Sequence, residues 1–124
     1  ARLPLLAGWT DRRRALAARY RTRLGSSAVE VPPQSDAGHV YHLFPVLSPA
    51  RDAIRAALTE RGVETLIHYP VPLPKQPALA ETAPADCPVA NRVANEVFSL
   101  PLHPGLPEAH VDLVADALAA VAPR

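Results

Sequence analysis

The sequence lacks the features that mark several large protein classes. It contains no run of about 18 apolar residues that could span a membrane, and its formal net charge of +1 argues against a dedicated nucleic-acid-binding protein. The N-terminus does not show the charged-then-apolar pattern of a secretory signal. Cys87 is the only cysteine, which excludes an internal disulfide and agrees with a reducing cytoplasm. We therefore expect a cytoplasmic protein that binds neither a membrane nor nucleic acid.

Motifs of well-known catalytic and metal centres are also missing. The sequence has no glycine-rich phosphate loop, CxxC pair, HExxH motif or nucleophile elbow. None of the five histidines forms a helical i, i+3 or i+4 pair with acidic partners, so no metal site is predicted. Lysine is nearly absent, since Lys75 is the only one, and it lies in a proline-rich loop with no glycine cluster nearby.

What is present indicates one folded domain. The chain has 124 residues, of which 48% are apolar. A chain of this size can bury roughly two-thirds of its unfolded surface, and this apolar content predicts a folded protein over a disordered one.

The most informative stretch runs from residue 62 to residue 76. Gly62 ends a helical pattern, where a glycine can take the left-handed conformation at no steric cost. β-branched residues at every second position of 63–67 predict a buried strand, and prolines stiffen the loop that follows. His68 and Tyr69 therefore stand at the carboxyl end of a predicted strand, where ligand-binding groups are common in α/β folds.

The rest of the chain alternates between helical and extended patterns. Helices are predicted at residues 2–24, from Ser48-Pro49 to 61, after Asp86 or Cys87, and from Pro107 onward; further strands are predicted at residues 40–47 and 97–100, with loops at 26–38 and 78–85. Pro45 suggests that the strand at 40–47 is an edge or carries a bulge. We expect an α+β domain with a small, mainly antiparallel sheet of about three strands and helices on one face.

The predicted first helix has two contrasting faces. Its apolar stripe is formed by Leu5, Trp9, Leu16, Tyr20 and Leu24. Its arginines fall mostly off this stripe; they are Arg12, Arg13, Arg14, Arg19, Arg21 and Arg23. A solvated helix face is the simpler interpretation of these arginines, and phosphate binding is the alternative.

The histidines differ in what their surroundings predict. His39 and His110 are expected at the surface, and His42 is expected to be a hydrogen-bonded core residue, with a ligand role as the alternative. His103 lies in a rigid proline-flanked turn, for which structural and site-facing roles are equally open. His68 beside Tyr69 is the best functional candidate, because two adjacent hydrogen-bonding side chains at a strand end are unusual for packing alone.

Four blocks of the sequence resemble the C-terminal part of the DegT/DnrJ family of pyridoxal-phosphate-dependent sugar aminotransferases. The blocks are WTDRRRALAARY (9–20), VYHLF (40–44), TLIHYPVPL (65–73), and PVA (88–90) followed by SLPLHPGL (99–106). Two positions depart from the family pattern. The family often has a histidine where Pro74 stands and a branched apolar residue where Pro45 stands.

This resemblance implies a domain organisation. Residues 1–25 would be a helix that joins an absent large domain, 26–38 a connector, and 39–124 the small C-terminal domain of an aspartate-aminotransferase-like fold (fold type I). In the family the large domain holds pyridoxal phosphate and supplies the Schiff-base lysine. Lys75 is rejected for that role, so the chain is expected to hold no catalytic or cofactor-binding residue and to be incomplete as an enzyme by itself.

The resemblance also implies a reaction and partners. Family members move an amino group from glutamate to a nucleotide-linked keto sugar, usually as homodimers. The substrate-binding residues implied here are His68, Tyr69 and His103, and the His-Tyr-Pro block is most similar to members that act at C-3 of a 6-deoxyhexose. Two alternatives remain open. One is a non-catalytic accessory or relic module that binds a sugar nucleotide or a partner subunit, and the other is a family relative that acts on an amino-cyclitol or an aromatic precursor.

Overall fold

The computed structural model describes residues 2–25, 27, 29–82 and 85–121 of the chain. Within them the helices are α1 (Leu6–Leu24), α2 (Arg51–Glu60), α3 (Pro88–Glu96) and α4 (Glu108–Val121), and the strands are β1 (Phe44–Leu47) and β2 (Val97–Leu100). Short 3₁₀ helices cover Leu3–Leu5, Leu73–Lys75 and Pro77–Thr82. None of the described helices is both long enough and apolar enough to cross a membrane. The predicted α+β class is confirmed.

The sheet is smaller than the sequence predicted. β1 and β2 pair antiparallel, with Phe44 opposite Leu100, and they form a two-stranded sheet within the described residues, where about three strands were expected. The predicted strand at 63–67 is reduced to a single bridge between Leu66 and Ser99. The residues before Leu66 bond to α2: the N–H of Val63 donates to the carbonyl of Leu58, and Arg55 donates to the carbonyl of Thr65.

The two faces of the sheet have different surroundings. The side chains of Phe44, Val46, Phe98 and Leu100 are at most 3% exposed and belong to the main hydrophobic core. The helices α1, α2 and α4 cover this face, contributing to the same core Leu16, Tyr20, Leu24, Ile54, Leu58, Val111, Val114 and Leu118. The opposite face, which carries Pro45 and Ser99, lines a groove described below. The expectation that helices cover one face holds for α1, α2 and α4, whereas α3 lies beside the opposite face.

Pro45 is accommodated by the hydrogen-bonding pattern of the sheet. It lies opposite Ser99 in β2. The backbone N–H and C=O of Ser99 both bond to Leu66 on the other side of β2, at 2.7 and 3.3 Å. The backbone N–H and C=O of one strand residue point to the same side of the strand. Those of Ser99 therefore point away from β1, and the residue at position 45 does not need a backbone N–H for this pair. A proline therefore fits there without breaking the ladder.

Helix α1 is confirmed as a long helix, but its apolar stripe divides into two parts. Leu16, Tyr20 and Leu24 are at most 2% exposed and pack in the core of this chain. Leu5 is 54% exposed, and Trp9 is half-buried. The first turn, which was predicted as α-helix, is a 3₁₀ helix at Leu3–Leu5. The role of α1 in joining a second domain stays a prediction.

The arginines of α1 lie on a partly solvent-exposed face, as the simpler interpretation expected, and they form ion pairs and hydrogen bonds there. Arg12 donates to Glu108 over 2.6 Å, and Arg19 donates to Asp112 over 2.9 and 2.6 Å. Arg23 pairs with Asp116. Because these three acids lie on α4, the ion pairs hold α1 and α4 side by side.

The other three arginines bond to the connector and to the chain just before β1. Arg21 donates to the carbonyl of Pro32, Arg14 to that of His39 and Arg13 to that of Val40. The sequence pattern showed that these side chains lie off the apolar stripe, but it did not show which backbone carbonyls they reach.

Several predicted boundaries differ from the structure. β1 begins at Phe44 and not at residue 40, because Tyr41 has a φ of +47° that interrupts the extended chain. His42 is exposed, so its expected core position is wrong, whereas His39 and His110 are exposed as expected. Helix α2 begins at Arg51, after a turn in which the Ser48 hydroxyl accepts the N–H of Ala50.

The remaining boundaries follow the sequence more closely. Gly62 has the predicted left-handed conformation, with a φ of +75°. β2 and α4 lie where expected, and α3 begins at Pro88 after Cys87. Part of the predicted loop at 78–85 is instead the 3₁₀ helix Pro77–Thr82, while residues 83 and 84 lie outside the described part of the chain.

Candidate functional site

The sheet face opposite the core is the floor of an apolar groove of about 760 Å³. One wall is α3 and the other is the proline-rich loop that follows Tyr69. Its lining residues are Leu43, Pro45, His68, Tyr69, Val71, Pro72, Leu73, Pro74, Gln76, Cys87, Ala90, Val93, Ala94, Val97 and Ser99. None of these side chains carries a formal charge when histidine is neutral, so the groove is suited to uncharged, partly apolar groups.

His68 is held over the sheet by a buried serine. Its ring nitrogen Nδ1 lies 3.1 Å from the hydroxyl oxygen of Ser99. His68 itself is half-buried, while Ser99 is only 6% exposed. The bridge between Leu66 and Ser99 fixes the backbone two residues before the imidazole. The imidazole is therefore a placed side chain and not a freely rotating surface group.

A second pair of contacts holds this segment at Thr65, the residue before Leu66. We call the His68–Ser99 contact and the Arg55–Thr65 contact the two braces of the segment. Arg55 of α2 donates from Nε to the Thr65 hydroxyl over 3.0 Å and from Nη2 to the Thr65 carbonyl over 3.1 Å. Thr65 is 5% exposed, so these bonds are shielded from water on one side. Together the two braces replace the strand ladder that the sequence predicted for this segment.

Tyr69 combines a constrained backbone with an open side chain. Its φ of +59° lies in the left-handed region, which costs a non-glycine residue roughly 1 kcal/mol or more. Its side chain is 87% exposed and lies at the edge of the groove. A strained backbone that presents an unburied aromatic ring is typical of a binding position.

His103 belongs to a neighbouring hollow of about 360 Å³, whose lining also includes His68 and Ser99. His68 thus lies on the wall between the groove and this hollow, Tyr69 lines only the first, and His103 lines only the second. His103 is exposed. His68 therefore shares one cavity with Tyr69 and another with His103, and no single cavity holds all three predicted site residues.

The turn that carries His103 is fastened to α1. The buried hydroxyl of Tyr20 donates to the carbonyl of Pro101 over 3.0 Å. Burial raises the pKa of Tyr20 well above its ordinary value, so this hydroxyl stays protonated and keeps its role as donor. The turn is consequently a rigid support, as the sequence suggested.

The loop after Tyr69 is stiff for the predicted reason. Pro72 is extended, with φ −64° and ψ 150°, and a 3₁₀ helix follows at Leu73–Lys75. The side-chain amide of Gln76 donates to the carbonyl of Val71 over 3.0 Å and closes the loop. Lys75 is exposed and is not among the residues that line the groove.

Two positioning residues, Ser99 and Arg55, were not predicted from the sequence. Ser99 could have been noticed in the sequence, because it carries the only hydroxyl in the apolar strand Val97–Leu100. Arg55 could not have been noticed in this way, since an arginine in the middle of a helix resembles any surface residue. No group of three or more histidine, cysteine, aspartate or glutamate side chains in the described part of the chain could hold a metal ion.

The chain is similar to known sugar aminotransferases. The model of the DegT/DnrJ/EryC1/StrS aminotransferase family matches residues 1–119. The dTDP-3-amino-3,4,6-trideoxy-alpha-D-glucose transaminase of Streptomyces venezuelae is 41% identical over 121 residues, which are 94% of this chain and 32% of that protein. The chain spans about a third of the length of the curated relatives that it matches.

Solved structures agree in fold. The crystal structure of S. venezuelae DesV in complex with a ketimine intermediate superposes with a TM-score of 0.92 at 39% identity, covering 99% of this chain and 34% of that one. The crystal structure of NtdA from Bacillus subtilis with the bound cofactor PMP superposes with a TM-score of 0.81 at 29% identity, covering 91% of this chain and 28% of that one. On the family match and these likenesses, the chain belongs to the DegT/DnrJ/EryC1/StrS aminotransferase family.

Proposed function

We propose that this chain is the C-terminal third of a pyridoxal-phosphate-dependent sugar aminotransferase, to which it contributes the substrate-facing wall of the active site. The supporting observation is His68, whose imidazole is held between two open cavities by a buried serine. A placed imidazole beside an exposed tyrosine suits a hydroxylated ligand, since both side chains can donate and accept hydrogen bonds. The chain covers about a third of the length of its relatives, which supports the proposal that it is one part of a larger enzyme.

The described residues do not fit a pyridoxal phosphate site. Lys75 is exposed in the proline-rich loop. The first turn of α4 carries Glu108 and that of α2 carries Asp52, and such carboxylates disfavour a phosphate at either helix N-terminus. The cofactor would carry the amino group from glutamate to the sugar, held by a large N-terminal domain of the same enzyme. The bound PMP of the NtdA structure supports this cofactor.

His68 and Tyr69 would orient the keto sugar. The imidazole and the phenol can each donate to a ketone or hydroxyl oxygen, which selects one orientation of the sugar ring. Proton transfer at the reacting carbon would be left to a Schiff-base lysine of the large domain, so that His68 and Tyr69 would bind and orient the sugar without moving a proton. His103 would contact the same ligand from the neighbouring hollow.

The substrate we propose is a nucleotide-linked keto-6-deoxyhexose that is aminated at C-3. The support is the S. venezuelae relative, whose name specifies a 3-amino sugar that lacks the 6-hydroxyl and is carried by dTDP. The apolar walls of the groove agree with a ligand that has lost hydroxyl groups. The full enzyme is proposed to work as a cytoplasmic homodimer.

One experiment tests this function. The complete reading frame that contains this chain is expressed, and the product is incubated with pyridoxal phosphate, glutamate and a dTDP-linked 3-keto-6-deoxyhexose. The expected result is an amino sugar detected by mass spectrometry, with release of 2-oxoglutarate. Binding of the nucleotide sugar without amination, in a protein without a cofactor-binding lysine, would overturn the proposal and support the accessory-module alternative.

A further inference from the structure

Ser99 is an unusual residue for its position. It is 6% exposed and follows the fully buried Phe98 in a strand whose other members are apolar. Its backbone N–H and C=O are both used by Leu66. The hydroxyl is therefore not needed for the ladder, and a small apolar residue would serve the strand as well.

The hydroxyl has one hydrogen-bond partner among the described residues, which is Nδ1 of His68 at 3.1 Å. A serine hydroxyl can donate or accept, whereas each nitrogen of a neutral imidazole does only one of the two. If Nδ1 carried the proton and donated to Ser99, the hydroxyl hydrogen would need a second acceptor. No bond from this hydroxyl to a second protein acceptor is found among the described residues, so its hydrogen would be left to whatever enters the cavities that Ser99 lines, at the cost of a poorly satisfied donor.

We propose that the Ser99 hydroxyl donates to Nδ1 of His68 and thereby fixes the imidazole in the tautomer that carries its proton on Nε2. Ser99 is then a positioning residue, since it acts on the ligand only through His68. This inference rests on the proposed function where it concerns the ligand: a fixed Nε2–H is a hydrogen-bond donor, suited to the oxygen of a ketone or hydroxyl group.

The state of His68 can be measured without any ligand. The 124-residue chain is labelled with ¹⁵N-histidine, and long-range ¹H–¹⁵N correlations are recorded at pH 8, where an ordinary imidazole is neutral. The signals of His68 are assigned by their loss in His68→Gln. The exposed His103 serves as an internal reference in the same spectrum.

The expected result is a stronger preference for the Nε2–H form at His68 than at His103. In Ser99→Ala the Nε2–H to Nδ1–H ratio of His68 should fall by about fivefold, which is the factor that one ordinary hydrogen bond is worth. Ser99→Thr keeps the hydroxyl and should restore the ratio. If Ser99→Ala does not fold, the Nε2–H to Nδ1–H ratios of His68 and His103 in the unmodified chain still show whether His68 has the stronger preference for the Nε2–H form.

Two outcomes would overturn the inference: an Nδ1–H form at His68 in the unmodified chain, or an unchanged ratio in a folded Ser99→Ala. In the full-length enzyme, Ser99→Ala should lower kcat/KM for the keto sugar and Ser99→Thr should recover it. Because the tautomer readout needs no sugar, an enzyme that aminates no sugar would contradict the proposed function and leave the role of Ser99 supported by the spectrum.

Discussion

The guanidinium of Arg55 holds Thr65 through two hydrogen bonds, one to its hydroxyl at 3.0 Å and one to its carbonyl at 3.1 Å. This contact ties α2 to the segment that leads into His68. Within the described residues the segment has only one bridge to the sheet, at Leu66. The bonds from Arg55 therefore help to fix its position, as further ladder bonds would. The placement of the candidate site therefore depends on a helix that does not line the groove.

Arg55→Ala is expected to lower the free energy of unfolding by about 1 to 3 kcal/mol, because it leaves the buried Thr65 without its charged partner. The measurement is urea denaturation followed by circular dichroism. Arg61→Ala is the matched control, since the exposed side chain of Arg61 bonds, among the described residues, only to the carbonyl of Ala57 in α2. Its effect should stay within about 0.5 kcal/mol. Equal losses in both variants would show that the Arg55 brace contributes nothing.

Much of the fold could be predicted because local patterns determine it. β2, α4 and the left-handed Gly62 follow from periodicity and turn chemistry alone. The segment 63–67 has the composition of a strand, but composition does not reveal that Val63 and Thr65 bond to α2 and that Leu66 alone bridges to β2. Pairing depends on contacts distant in sequence, which a local pattern cannot contain.

The candidate site was predictable in part. Its most prominent residues, His68 and Tyr69, stand out in the sequence as polar groups after an apolar run. Their supports do not stand out, because Ser99 lies 31 positions from His68 and Arg55 lies 10 from Thr65. His42 shows the reverse error: an alternating pattern predicted burial, and the interruption of the strand at Tyr41 left it exposed.

Tyr69→Gly is expected to raise the free energy of unfolding by about 0.5 to 1 kcal/mol, because glycine accepts a positive φ without a steric penalty and the lost side chain is 87% exposed. The same change should reduce turnover in the full-length enzyme. Tyr41→Gly is the control, since Tyr41 also has a positive φ but is 4% exposed. It should destabilise the chain by about 3 kcal/mol or more through the loss of a buried ring. Thermal and urea unfolding measure both, and a destabilised Tyr69→Gly would contradict the strain argument.

The ion pairs between α1 and α4 predict loss of stability in acid. The hydrogen bond from Arg12 lowers the pKa of Glu108, and the hydrogen bonds from Arg19 lower the pKa of Asp112. Since both carboxyls have a lower pKa in the folded chain than in the unfolded chain, their contribution is present above the unfolded pKa and disappears as the pH falls through the folded pKa. The free energy of unfolding should therefore decline as the pH is lowered below about 5.

Asp112→Asn should make this decline shallower, because it removes one of the two carboxyls whose pKa is lowered. Glu60→Gln, which changes an exposed carboxylate at the end of α2, is the control and should leave the decline intact. Urea denaturation at a series of pH values gives the result. A decline of the same steepness in Asp112→Asn and in the unmodified chain would show that these ion pairs do not govern acid stability.

The start of α1 predicts self-association of the 124-residue chain. Leu3, Leu5 and Leu6 are 76, 54 and 49% exposed, so three apolar side chains lie in water within four consecutive positions. Replacing Leu5 and Leu6 by lysine should raise the dissociation constant about tenfold or more, since each buried leucine contributes about 1.5 to 3 kcal/mol. Leu113→Lys, at a 63% exposed leucine on α4, is the control. Sedimentation velocity measures association, and a strictly monomeric unmodified chain would contradict this expectation.

The two half-reactions of the full-length enzyme, measured separately, distinguish a sugar-orienting role of His68 and Tyr69 from a role at the cofactor. If His68 and Tyr69 orient the sugar and take no part in proton transfer, His68→Asn and Tyr69→Phe should each slow amination of the keto sugar by about ten- to a hundredfold, since each loses a hydrogen bond to the sugar or leaves a polar partner unmatched. The glutamate half-reaction, followed by cofactor absorbance, should be nearly unchanged. Equal losses in both half-reactions would show that these residues act at the cofactor and do not serve to orient the sugar.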